Sequence, residues 1–157
     1  RWIEDYLMPD DMAGFANVRK RLPTQGLAPG EHWHLTRTFK DAADQQLVDN
    51  FQPDLQWVGG LSASDRICHI AEASGIAVAP HGGMDTPYGQ HLAMAMPAVT
   101  WGERADGVSP PGVSLTAMVS LPGTPIIKDG YLIPNTAPGF GIHIDIDWLE
   151  KITVSRS

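Results

Sequence analysis

The sequence has a single cysteine, Cys68, among its 157 residues. An intrachain disulfide is therefore excluded. Cys68 lies in an apolar helical stretch and reads as a small core residue rather than a nucleophile. Charge is also scarce. Charged residues make up 18% of the chain, and the formal net charge is −7. With no basic excess, bulk charge offers nothing to hold a nucleic acid or an anionic membrane. A small anionic substrate stays open, because one local metal ion outweighs the global charge at short range. No apolar run is long enough to span a bilayer and no secretory leader is visible, so a cytoplasmic protein is expected. Low-complexity tracts are missing as well.

Hydrophobic residues reach 43%, enough for one ordinary domain with its own core. Short apolar stretches that end in a polar residue alternate with amphipathic stretches. Trp2-Ile3-Glu4 predicts a strand, and 11–21 a helix. Residues 26–31 lead the next strand, with a helix over 35–49. Phe51-Gln52-Pro53-Asp54 predicts a third strand and 61–74 a helix, in which Ile67, Ile70 and Ala71 share a face and Gly75 is the stop. Residues 76–81 form an apolar run suited to a strand buried on both faces. A helix over 87–96 and a strand over 99–103 follow. Residues 107–120 are rich in Pro, Gly and Ser and predict a loop. Residues 125–132 predict a hairpin turning at Asp129-Gly130. From Pro138-Gly139-Phe140-Gly141 the chain leads into a final extended stretch. It opens inside a core strand, so a piece of a longer polypeptide is expected.

The polar residues at the strand ends are Glu4, Glu31, Asp54, His81 and Glu103, separated by 27, 23, 27 and 22 residues. That is one βα unit each time, as in a parallel sheet with helical crossovers. Five such units fit a (β/α)₈ barrel or a doubly wound sheet. In a barrel the C-terminal strand ends converge on one site.

Glu4 and Glu31 are carboxylates at successive strand ends, and carboxylate clusters suit hard divalent ions such as Mg²⁺. A carboxylate ending an apolar strand such as Trp2-Ile3-Glu4 needs a partner, because an unpaired buried charge is expensive. His81 precedes Gly82-Gly83, where a ligand can approach the backbone closely, and its pKa is tunable across neutrality. Asp54 lies one strand earlier and could fix its tautomer. His32 and His34 form a His-x-His that could hold a metal or, through His32, touch a substrate. His69, His91 and His143 carry no motif. The five tryptophans read as core and interface.

In order, Trp-Ile-Glu-Asp, Gly-Glu-His, Gln-Pro-Asp-x-x-Trp-x-Gly-Gly, Pro-His-Gly and Gly-Glu resemble the enolase superfamily, and within it the L-rhamnonate dehydratase family. The resemblance covers nearly the whole chain. It implies an α/β fold: residues 1–135 as strands four to eight of an enolase-type (β/α) barrel, and 136–157 as a tail returning to an α+β capping domain. It implies Glu4 and Glu31 as Mg²⁺ ligands, His81 as the base with Asp54 as its dyad partner, Glu103 contacting the substrate or intermediate, and His32 in substrate binding. The implied reaction is Mg²⁺-dependent dehydration of an acid sugar such as L-rhamnonate to a 2-keto-3-deoxy acid. A racemase or epimerase of the same superfamily is the alternative, and an inert fragment or binding module a third reading. The first metal ligand, an Asp of strand three, has no counterpart in these residues. The missing N-terminal half is therefore expected to be required, no stable active monomer is expected from these residues alone, and the assembled enzyme is expected to be a homo-oligomer.

Overall fold

The computed structural model describes residues 2–104, 123–142 and 145–147. Four βα repeats come first. Strand β1 (Trp2–Glu4) is followed by helix α1 (Met12–Arg21), β2 (Gly26–Ala28) by α2 (Thr36–Asp44), β3 (Asn50–Phe51) by α3 (Leu61–Ser74), and β4 (Ala77–Val78) by α4 (Pro87–Ala95). A 3₁₀ turn at Gly83–Asp85 separates β4 from α4, and the hairpin β5 (Ile126–Lys128) and β6 (Tyr131–Ile133) comes last.

β1 pairs with β2 in parallel, Glu4 opposite Ala28, and β3 pairs with β4 in parallel, Phe51 opposite Val78. The two pairs join through Asp49 N–H to Leu27 O and Gln52 N–H to Pro29 O. On the far side of β4, Val78 bridges Val99 in parallel. The strand order therefore follows the chain order, as helical crossovers require.

These strands are shorter than the hydrophobic runs suggest, and proline is the reason. Pro29, Pro53 and Pro80 each stand just beyond a strand and are fully buried. A proline has no N–H to give to a ladder but can still accept. Pro53 O duly takes the N–H of His81 at 3.2 Å. The strand expected over 99–103 is reduced to the single bridge at Val99. Beyond Val78 the neighbouring chain reaches Pro80 and then leaves through Gly82 at φ 52°, so residues 101–103 have no continuing strand beside them. Instead Met84 N–H binds Glu103 O at 2.9 Å.

The helix ends have identifiable causes, some local and some set by packing. Asp11 caps α1, its Oδ1 accepting from Gly14 N–H at 2.8 Å. The helix expected to 49 ends at Asp44, because Gln46 turns to φ 52° and Leu47 N–H reaches back to Ala42 O. That left-handed stop drops Leu47 and Val48 into the core. Gly75 ends α3 at φ 68°, as its position predicts. The hairpin turns at Asp129-Gly130, with Lys128 opposite Tyr131. The proposed loop at 107–120 and most of the final extended stretch lie outside the described residues.

The core packs between strands and helices. Phe15, Trp33, Phe39 and Phe51 form an edge-to-face chain with centroids 5.1 to 5.5 Å apart. Ile67, Cys68 and Ala71 of α3 close it, so Cys68 is a core residue. Burial pushes its thiol up to about 12, which leaves no thiolate for chemistry.

Candidate active site at the strand ends

Because β1 to β4 are parallel, their C-terminal ends share one edge, and the loops leaving that edge carry the acids and bases. Gly30 adopts φ 138°, and a Cβ there would stand 3.0 Å from the Gln52 backbone nitrogen. Only glycine lets the chain pass so close, and Glu31 emerges directly after it. The buried Pro53 and Pro80 likewise set Asp54 and His81 at the end of β3 and β4.

His81 is held on both ring nitrogens. Nδ1 lies 3.0 Å from Asp54 Oδ2, and Nε2 lies 3.3 Å from Glu31 Oε2. Asp54 is fixed in turn, since its Oδ1 accepts from Gln56 N–H at 2.7 Å and Trp57 N–H at 3.1 Å. An acceptor at Nδ1 selects the tautomer that leaves the Nε2 lone pair for proton transfer. Burial works to lower the His81 pKa, but the Asp54 hydrogen bond and the charges of Glu31, Glu103 and Asp54 together raise it above the ordinary histidine value.

Glu103 reaches the same place from beyond β4. Its Oε2 accepts from Gly82 N–H at 3.1 Å, one residue past His81. Burial raises its pKa against the lowering effects of His81 and the Gly82 N–H, and the charges of Glu4 and Asp85 add to the rise.

Glu31 is the junction. Besides His81 it meets His32, with Nε2 3.1 Å from Glu31 Oε1. Burial raises its pKa first, His81 opposes this, and the Asp5 carboxylate raises it further. Asp5, Glu31 and His32 each offer one ligand atom within 4.8 Å of the others, a spacing one metal ion could bridge. Glu4, by contrast, accepts at Oε1 from the Trp2 indole N–H at 2.5 Å. Trp2 and Glu4 are two apart on one strand and so share a face. The carboxylate grouped with Glu31 is thus Asp5, which a reading by strand ends passes over. Its signal is the run of two acids, Glu4-Asp5, where β1 stops and Asp5 turns to φ 40°.

The other histidines stand apart. His34 is on the Trp57 side of the mouth, 6.0 Å between ring centroids. His69 is exposed on α3 beside Asp65 and Glu72. His91 packs on Phe140. His143 lies outside the described residues. Among the described residues no helix is long and apolar enough to cross a membrane.

Known proteins resemble this chain over nearly all of its length. L-rhamnonate dehydratase of Saccharopolyspora erythraea is 30% identical over 148 residues, which are 92% of this chain and 37% of the relative. Rhamnonate dehydratase of Gibberella zeae, solved in complex with Mg, superposes with a TM-score of 0.78 at 30% identity, over 96% of this chain and 37% of that one. An enolase protein from Sargasso Sea environmental sequencing gives a TM-score of 0.80 at 27% identity, over 96% of this chain and 40% of that one. The chain spans well under half the length of each. The family described as enolase C-terminal domain-like matches residues 1–148. With so little of the sequence outside that match, the chain belongs to the enolase C-terminal domain-like family.

Proposed function

We propose that this chain forms strands four to eight of an enolase-type barrel, and that the completed protein is a Mg²⁺-dependent hydro-lyase that dehydrates an acid sugar of the L-rhamnonate type. The observation that carries this reading is the His81 imidazole, held by Asp54 on one nitrogen and facing Glu31 with the other. A base beside a carboxylate cluster suits removal of a proton next to a substrate carboxylate. In the same reading, residues 136–157 return to a capping domain.

The donor set fits a hard divalent cation. The Asp5 carboxylate beside Glu31 helps raise the proton affinity of Glu31, and a cation between them relieves that repulsion. Glu31 and Asp5, whose ligand atoms lie within 4.8 Å, would hold it, with Glu4 joining them on giving up the Trp2 indole and the remaining oxygen ligands coming from the rest of the completed protein. When bound, a divalent cation supplies the positive charge that draws electron density into the substrate carboxylate as its α-proton leaves.

His81 Nε2 takes the α-proton, while Asp54 stabilises the imidazolium that results. The proton on His81 then accompanies the β-hydroxyl as it departs as water. Glu103, whose pKa is raised, can carry a proton at neutral pH more readily than a solvated glutamate and so hydrogen-bond to a developing oxyanion. His32 contacts a hydroxyl of the sugar chain. The remaining enol ketonises to a 2-keto-3-deoxy acid.

The test is a screen of aldonic acids with Mg²⁺, using this chain joined to its upstream half. Formation of a 2-keto-3-deoxy product supports the reading. Inversion at the α-carbon with no loss of water would replace it with an epimerase.

A further inference from the structure

The contacts at the mouth close into a ring. Asp54 Oδ2 meets His81 Nδ1, and His81 Nε2 meets Glu31 Oε2. Glu31 Oε1 meets His32 Nε2, and the His32 ring stacks on the Trp57 indole at 5.3 Å and 25°. The Trp57 backbone N–H then returns to Asp54 Oδ1 at 3.1 Å. Trp57 makes one of its two contacts in this ring through its side chain and the other through its main chain. Trp57 is 48% exposed as a residue and lies outside the buried hydrophobic cluster, so core packing does not account for it. The loop carrying it is pinned at both its Asp54 end and Gln56, whose Nε2–H donates to Tyr88 Oη at 3.2 Å.

We propose that Trp57 is a positioning residue, whose indole face holds the His32 imidazole against Glu31 and presents it to the hydroxylated carbon chain of an acid-sugar substrate. His32 is itself 44% exposed at the side chain and would otherwise sample several rotamers at the mouth. A flat aromatic neighbour removes that freedom and keeps the Nε2 edge toward Glu31. Because the main chain of Trp57 also holds Asp54, the base and the substrate-binding histidine are set from one residue. This inference rests on the hydro-lyase reading for its substrate, but the stacking itself does not.

The experiment uses the completed enzyme and the variants Trp57→Phe, Trp57→Leu, His32→Asn and the Trp57→Leu/His32→Asn double. None of these side-chain changes removes the backbone hydrogen bond to Asp54. The first readout is the proton resonances of the His32 ring, which an indole stacked on its face shifts upfield. The shift is expected in the parent and to be lost in Trp57→Leu. The second readout is kcat/KM on the acid sugar. Trp57→Leu should lower it by about three- to tenfold, the range of one aromatic contact. Trp57→Phe should recover most of that loss, and Trp57→Leu should add nothing on the His32→Asn background. An unshifted His32 ring in the parent, or losses that simply multiply in the double variant, would overturn the proposal. A shifted ring in a parent that dehydrates no acid sugar would leave the positioning role standing and remove the proposed reaction instead.

Discussion

At the residue scale the active-site chemistry depends on how the charges around His81 divide their effects. In the proposed reaction His81 is the general base and must be unprotonated, so activity should rise with pH as His81 loses its proton. Since the Asp54 hydrogen bond and the neighbouring carboxylates raise its pKa, the acidic limb of kcat/KM should lie above the ordinary histidine value, by less once a cation neutralises Glu31. Asp54 is among the groups that raise it, so Asp54→Asn should move that limb to lower pH while lowering the plateau. A pH–rate profile of both proteins checks the direction, and an unmoved limb would mean that the titrating base is another group. His81→Asn should lower kcat by about 10²–10⁴-fold, the usual contribution of a positioned base. Exchange of the substrate α-proton with deuterated solvent should vanish with it. Exchange that survives in His81→Asn would assign proton abstraction elsewhere.

At the scale of the elements, the site depends on how each strand stops. Proline ends the ladder after β2, β3 and β4, and the segments that follow carry Glu31, Asp54 and His81. The turn after His81 is the tightest of these. A Cβ on Gly89 would stand 1.7 Å from Gly83 O, within the segment that joins His81 to α4. Gly89→Ala should therefore destabilise the protein by about 1–3 kcal/mol, the range for overpacking, and lower kcat as well because the turn bearing Gly82 is displaced. Urea unfolding and steady-state kinetics on one preparation test both. Asp11→Ala makes a useful contrast. It removes the cap on α1, far along the chain from the base, and should cost about 1 kcal/mol with kcat unchanged.

At the scale of the whole molecule, β1 and the segment at Val99 each have a neighbour on one side only among the described residues. Near that second edge Met94, Trp101 and Tyr131 are mostly exposed around a cavity of about 450 Å³. Open parallel edges and a wide apolar surface are unusual for a finished barrel. We expect residues 1–157 alone to unfold without a sharp transition and to turn over no acid sugar, and co-expression with the upstream half to restore both. A monomer of the short chain with cooperative unfolding and full activity would show that these residues suffice.

Much of this molecule was legible in its residues, for definable reasons. The spacing of Glu4, Glu31, Asp54, His81 and Glu103 exposes a βα period because each repeat is one strand and one helix long. The stop at Gly75 and the turn at Asp129-Gly130 are local, and local backbone chemistry decides them. The pairing of Asp54 with His81 follows from neighbouring parallel strands. Other features depend on distances that a linear pattern does not contain. The stop at Gln46 is one, because burial of Leu47 and Val48 selects it. The reduction of the expected strand to a single bridge at Val99 is another, since its neighbour turns away at Pro80 and Gly82. The turn at Asp5 swings one carboxylate toward Glu31 while Glu4 stays with Trp2. Periodicity assigns the face of a strand, but only the folded loop says which of two adjacent acids reaches across to the next strand. The sequence by itself determined the order of the elements and the types of residue at their ends. The tertiary structure decided which of those residues touch, because contact at the mouth is set by turns, prolines and close backbone approaches rather than by period.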